Sequence, residues 1–294
     1  MTGIPIKVWL MAFRPKTLSA SIAPVFIGTA MAFGDGVYHL PTALVCLLAA
    51  LTIQIGTNIA NDYYDFKKGA DTKERIGPIR VTQAGLIPPE TVKGAFIVSF
   101  AIAVFLSILL IYRGGWPIAV IGALAILSGI LYTAGPLPLG YIGLGDVLVF
   151  VFFGPVAVAG TYYVQSFEMN AAVILAGLGP GLISVAILTV NNLRDIDSDA
   201  KAGKRTLAVR FGRSFALLEY VFCTTVAALI PVLIYGLIQD HIGILACAAL
   251  ALFAIPSIVT VASKSDGPSL NKALAATGRM LLVYSVIFAA GWTL

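Results

Sequence analysis

The stretch from Asn58 to Arg80, NIANDYYDFKKGADTKERIGPIR, places carboxylates, amides and cations at spacings that suit joint binding of a metal and an anion. It opens inside an apolar run, LVCLLAALTIQIGT. If that helix continues, the 3.6-residue period sets Asn58, Asp62 and Asp65 on one face, within about 60° of one another. Hard oxygen ligands suit Mg²⁺, which is held by one or two carboxylates together with a substrate's phosphates. Lys67, Lys68, Lys73, Arg75 and Arg80 follow and can meet the other side of the same anion. The pattern returns 133 positions after Asp62, at Asp195, within TVNNLRDIDSDAKAGKRTLAVRFG. On a continuing helix Asn191, Asp195 and Asp199 share a face, with Asn192 beside them and Asp197 nearly opposite. Lys201, Lys204, Arg205, Arg210 and Arg213 come next. One acidic helix end is also what a solvated surface looks like. Two, on segments of the same orientation, would repel in a low dielectric unless a cation lay between them. Mg²⁺ bridging the carboxylates to a diphosphate removes that conflict, and the basic residues complete the charge balance.

The elements that must position these residues are membrane helices. The chain has 294 residues, of which 59% are hydrophobic and 11% charged, and its mean hydropathy is +0.95. A soluble domain would be about 25% charged. Crossing a bilayer takes about 20 mainly apolar residues. Nine such segments are legible, roughly 17 to 33, 40 to 60, 94 to 112, 116 to 134, 144 to 163, 171 to 190, 216 to 236, 242 to 262 and 276 to 294. The fold class expected is all-α: one domain over residues 1 to 294, a bundle of nine transmembrane helices with cytoplasmic cap loops. It holds two pseudo-repeated Asp-rich motifs at 58 to 80 and 191 to 213. With the N-terminus inside, 18 of the 19 Lys and Arg residues fall on the inner side and only Arg113 outside. The positive-inside rule therefore predicts cytoplasmic N-terminus and Asp-rich loops, and an outer C-terminus. No short apolar run with a small-residue cleavage site opens the chain, so insertion without trimming is expected. The net charge of +5 resides in these loops and reads as topology and anion binding; no nucleic acid is expected as a partner.

The remaining segments sort by what they lack. Arg14 and Lys16 in FRPKTLSA border the first span, where lipid phosphate and a substrate are equally good partners. Pro24 predicts a kink or helix start in that span. The connection from 61 to 93 is longer than a compact bundle needs and interleaves apolar residues with its charges, which predicts an ordered cap. LYTAGPLPLGYIGLGD brings Tyr132, Tyr141 and Asp146 to the same level. Their rings suit an interfacial belt or the wall of a pocket for an aromatic substrate or a carbocation. Cys46, Cys223 and Cys247 lie inside predicted spans and pair in no C-x-x-C, so they read as packing residues. His39 and His241 fall in short outer loops, away from the acids.

A paired acidic and basic site above an apolar interior suits an amphiphile with a diphosphate head and a lipid tail. N-D-x-x-D at Asn61 to Asp65 and D-x-x-x-D at Asp195 to Asp199 resemble the two Asp-rich motifs of the UbiA superfamily of intramembrane prenyltransferases. RPKTL at 14 to 18, NDYYDFKKGAD at 61 to 71, RIGPIR at 75 to 80, YIGLGD at 141 to 146 and NNLRDIDSDAKAGKRTLAVRFG at 191 to 212 are similar, in order, to the 1,4-dihydroxy-2-naphthoate polyprenyltransferases of menaquinone biosynthesis. The resemblance implies a nine-helix bundle in the cell (inner) membrane, Mg²⁺ as cofactor, and polyprenyl diphosphate, 1,4-dihydroxy-2-naphthoate and membrane lipid as partners. It implies metal ligands at Asn58, Asp62, Asp65, Asn191, Asp195 and Asp199, diphosphate contacts from Arg75, Arg80, Lys204 and Asn192, and acceptor contacts from Arg14, Lys16 or Tyr132. Where the family pattern has a third Asp in the first motif, this chain has Gly69, and Asp71 is the nearest replacement. A UbiA-type enzyme with another acceptor, such as 4-hydroxybenzoate, homogentisate or a glyceryl phosphate lipid, would share the metal site. A transporter would place its acids nearer the bilayer midplane.

Overall fold

The computed structural model describes residues 4–70 and 77–294, and every regular element among them is helical. In chain order these are α1 (Ile6–Phe13), α2 (Ser19–Gly34), α3 (Leu40–Lys67), α4 (Pro89–Gly114), α5 (Trp116–Leu131), α6 (Gly145–Phe152) and α7 (Pro155–Ser166). They continue as α8 (Ala171–Arg194), α9 (Ile196–Lys201), α10 (Leu207–Ile238), α11 (Leu250–Ser263) and α12 (Gly267–Thr293), with 3₁₀ turns at Pro15–Thr17 and Ile242–Ala249. Seven helices among the described residues are long and apolar enough to cross a membrane, or eight if the bent pair Ile6–Thr17 and Ser19–Gly34 is one span. The expectation of nine spans is met to that extent. Its fourth segment forms α5, an apolar helix of 16 residues, short of the ~20 that a span needs. The chain is an integral membrane protein.

The burial pattern is that of a bundle in lipid. α4 turns Ile97, Val98, Phe105 and Ile108 outward, whereas α8 is buried along most of its length between α7, α10 and α12. Lipid tails are as apolar as a leucine core, so helix association there depends on close packing of small residues. Gly154, between α6 and α7, faces Gly177 and Gly181 of α8; a Cβ on Gly177 would stand 2.5 Å from Pro155 Cα. Gly291 of α12 meets Gly243 with the same intimacy. Pro24 stands apart from the break in the first span. It lies inside α2, and the 54° break falls earlier, at Leu18 between the 3₁₀ turn and α2. Residues 79 to 88 fold over the end of α3 as a cap segment: Val81 and Ile87 are fully buried against Ile59, Tyr63 and Phe96.

Replacement of Gly177 by Val should destabilise the bundle by about 1–3 kcal/mol through overpacking against Pro155. Gly236→Ala, where no atom lies within 4 Å of the added Cβ, should leave the thermal midpoint in detergent unchanged.

Candidate functional site

Asp62 stands on the last turns of α3, and both its oxygens accept backbone N–H bonds, from Val81 and Thr82, at 3.0 Å each. This carboxylate therefore folds the cap back onto the helix end. Asn58, one turn earlier, donates its amide to Phe13 O at 3.0 Å and to Thr17 Oγ1 at 3.2 Å, fixing the bend between α1 and α2. Arg14 sits at that bend with φ of 53°, a left-handed conformation that non-glycine residues seldom take.

Asp65, one turn beyond Asp62, is the meeting point of three segments. Its Oδ1 accepts the Tyr141 hydroxyl at 2.6 Å, and its Oδ2 meets Arg80 at 3.3 Å and Lys204 at 3.2 Å. Lys204 reaches on to Asp199 at 3.5 Å. Two cations, Lys68 and Lys204, lie 4.9 and 4.8 Å from the Tyr141 ring centroid. Lys68 also donates to the Thr133 and Gly135 carbonyls, at 2.9 and 3.3 Å. Burial lowers its pKa; Asp65 opposes that shift and Lys204 adds to it.

The second motif departs from its expected geometry. α8 stops at Arg194, and Asp195 occupies a non-helical junction at φ −97° and ψ 10° before α9 begins. Asn191, Asp195 and Asp199 are thus not on one continuing helix, although Asp199 N still bonds Asp195 O at 2.8 Å. The Arg194 guanidinium packs at this junction. Buried among acceptors, it forks onto both Asp195 oxygens at 2.8 and 2.6 Å and reaches Asn191 at 2.8 Å and Asn271 at 2.7 Å. Asp197 points into solvent, as the helical period predicts.

Among the described residues, then, the fold links Asp65 and Asp199 through one ammonium, gives Asp62 the cap backbone, and sets the Arg194 guanidinium on Asp195. Among the described residues no three His, Cys, Asp or Glu side chains are grouped closely enough to hold a metal by themselves. The Asp65 and Asp199 pair fits the one or two carboxylates that Mg²⁺ takes alongside substrate phosphates. Asn191 lines the cavity below; Asn192 is buried away from it. Lys16 is exposed, whereas Arg14 and Tyr132 line the cavity. Asp71, Lys73 and Arg75 lie outside the described residues. Sequence reasoning set Lys68 among the cations that meet an anion, but missed the central position of Tyr141 and the roles of Arg194 and Asn271. Tyr141 and Arg194 stand inside blocks already singled out, but no spacing rule says which carboxylate a side chain from another helix will meet.

Beneath this layer a cavity of about 330 Å³ descends between α2, α3, α5, α7 and α8. Its mouth carries Arg14, Asn58, Asn61, Tyr132 and Asn191. Its lower walls are Val25, Cys46, Leu110, Ile118 and Val164. From Asn58 to Cys46 along α3 the depth is about 18 Å at 1.5 Å per residue.

The sequence profile of the UbiA prenyltransferase family matches residues 21–291. The chain belongs to that family. It is 41% identical over 243 residues to the 1,4-dihydroxy-2-naphthoate octaprenyltransferase of Haemophilus influenzae, covering 78% of this chain and 77% of that one. It is 38% identical to the enzyme of the same name from Mycobacterium tuberculosis, over 96% and 95% of the two chains. Among solved structures, a UbiA homolog from Archaeoglobus fulgidus bound to GPP and Mg²⁺ superposes with a TM-score of 0.71 at 16% identity, over 98% of this chain and 100% of that one. At that identity the likeness speaks to the fold.

Asp62→Asn keeps one acceptor oxygen and gives up charge-assisted bonding to the cap. About 1.5–3 kcal/mol should be lost for the weakened bond, read as a lower thermal midpoint and faster proteolysis between residues 77 and 88. Asp199→Asn, which weakens one 3.5 Å ion pair with Lys204 and no bond to the cap backbone, should shift the midpoint less.

Proposed function

We propose that this UbiA-family prenyltransferase moves a polyprenyl group from polyprenyl diphosphate to 1,4-dihydroxy-2-naphthoate, releasing diphosphate and CO₂ and giving demethylmenaquinol. The observation that carries the reading is order along α3: an acid and cation layer bridged by Lys204 at Asp65, and one turn earlier, at Asn61, the mouth of a long, mainly apolar cavity. The names of the two relatives supply the acceptor. Arg80, Lys68 and Lys204 hold the diphosphate at the mouth, and the tail lies in the apolar part of the cavity. Asp65 and Asp199, with Asp195 and Asn191 behind them, would hold Mg²⁺, which would supply positive charge to the departing diphosphate.

Tyr141 holds Asp65 in place through its 2.6 Å bond. The allylic C–O bond breaks with its electron pair passing to the diphosphate, where the Arg80 and Lys204 cations stabilise it. The apolar walls keep water from the allylic cation. The electron-rich naphthoate ring attacks that cation, and the C–COO⁻ bond then breaks, its electrons restoring aromaticity. No ring proton has to be removed, so this step makes no demand for a strong base. Arg14 and Tyr132 at the mouth are placed to receive the acceptor's polar groups. The basic residues at the Asp-rich helix ends support an inner-membrane orientation with N-terminus, cap and mouth in the cytoplasm and the C-terminus outside.

Purified protein in lipid, given polyprenyl diphosphate, Mg²⁺ and a panel of aromatic acceptors, should yield a prenylated naphthoquinol and one CO₂ per turnover by mass spectrometry. A product from another acceptor would overturn the acceptor assignment; solute accumulation without chemical change would overturn the reaction. Asp65→Ala, Asp195→Ala and Asp199→Ala should each lower turnover by at least about 100-fold. Removal of divalent metal with a chelator should abolish turnover reversibly, and activity that survives chelation would sink the metal assignment.

A further inference from the structure

Hydroxyl side chains on these helices return to the backbone a turn earlier. Ser107 donates to Ala103 O, Thr189 to Val185 O, Thr224 to Tyr220 O and Thr277 to Ala273 O, all at 2.8–2.9 Å. Such back-bonding is the ordinary way for a helix in lipid to satisfy a hydroxyl. Ser21 and Ser184 do not follow it. They are 2% and 4% exposed, and neither Oγ has a hydrogen-bond partner among the described residues. Both line the cavity, on α2 and α8, two helices that pack together. Ser21 lies one turn below Thr17, and Ser184 seven residues, about 10 Å, below Asn191. Both hydroxyls are thus beneath the charged mouth.

Only a ligand with polar atoms at that depth can use them. A prenyl tail offers none, and a diphosphate finds its counter-charges in the layer above. A hydroxylated aromatic ring offers hydroxyl groups that both donate and accept, which matches the two-way capacity of serine. We infer that Ser21 and Ser184 form the hydroxyl-recognition site for the aromatic acceptor on the α2–α8 wall. The lower, apolar part of the α3–α5 wall, with Ala49, Ala50 and Ile121, is left to the tail, below Gln54, Thr57 and Ser128. This assignment rests on the prenyl-transfer reading and adds to it where, and by which residues, the acceptor is selected.

The test uses full-length wild-type protein, Ser21→Ala and Ser184→Ala in lipid, with donor and acceptor varied separately. Naphthoates lacking one or the other hydroxyl serve as competitive inhibitors. Each alanine should raise the acceptor KM about three- to tenfold, the range for one neutral hydrogen bond, and leave the donor KM within about twofold. The rise should vanish for the analogue that lacks the hydroxyl met by that serine. Because alanine removes an unpartnered buried hydroxyl, the thermal midpoint should stay level or increase; a fall would assign these serines to the fold instead. Unchanged acceptor KM and inhibitor constants, the result if the serines hold only water, would overturn the inference, as would equal rises for donor and acceptor. Wild-type protein that prenylates no hydroxyaromatic compound would overturn the reading itself and this assignment with it. Active wild type with insensitive variants overturns the assignment alone.

Discussion

The ion bridge Asp65–Lys204–Asp199 is the contact on which the mouth of this protein depends. Asp65 ends α3, Asp199 lies on α9, and Lys204 begins the segment leading to α10, so one ammonium joins the two Asp-rich motifs. Carboxylates at this depth would otherwise repel with little water to screen them. Tyr141 adds the loop between α5 and α6, and the backbone bond from Arg205 N to Tyr141 O, at 2.7 Å, ties that loop to the strand of chain carrying Lys204. Three connections far apart in sequence are in this way drawn over one opening.

The bilayer imposes the second constraint. It rewards polarity only at the helix ends, so charge is concentrated in a thin layer and the interior below is left to packing. Small residues meet that need twice. Gly154, Gly177 and Gly181 let α6, α7 and α8 approach closely, and Ala49, Ala125, Ala157 and Gly160 keep the cavity open among helices that are otherwise tightly packed. The acid and cation layer and the apolar shaft are consequences of one solvent boundary.

Two carboxylates of the motifs show how a conserved-looking pattern divides its labour in space. Asp62 and Asp65 are a turn apart, yet one organises the cap through Val81 and Thr82 and the other meets two cations, Arg80 and Lys204, and the Tyr141 hydroxyl. Asp195 and Asp199 divide similarly: Arg194 claims the first, and Lys204 the second. A metal held mainly by Asp65 and Asp199 would therefore sit at the junction of the two motifs, next to the cations that meet a diphosphate.

The sequence by itself determined the class of structure and the kind of chemistry. Apolar length against bilayer thickness gave helices and their approximate places, and periodicity along α3 brought Asn58, Asp62 and Asp65 to one face, because both depend only on local geometry. The same local logic did not foresee the junction at Asp195, where α8 gives way to α9 beside a polar cluster of Arg194, Asn191 and Asn271. It also failed at α5, whose apolar run is longer in the sequence than its helix in space. Only the tertiary structure decided which acids share a cation, that Tyr141 packs against two lysines, and that Ser21 and Ser184 line the cavity with their hydroxyls unpartnered among the described residues. Those are choices of partner across helices, set by packing and by the desolvation of charge, and no spacing within one helix encodes them.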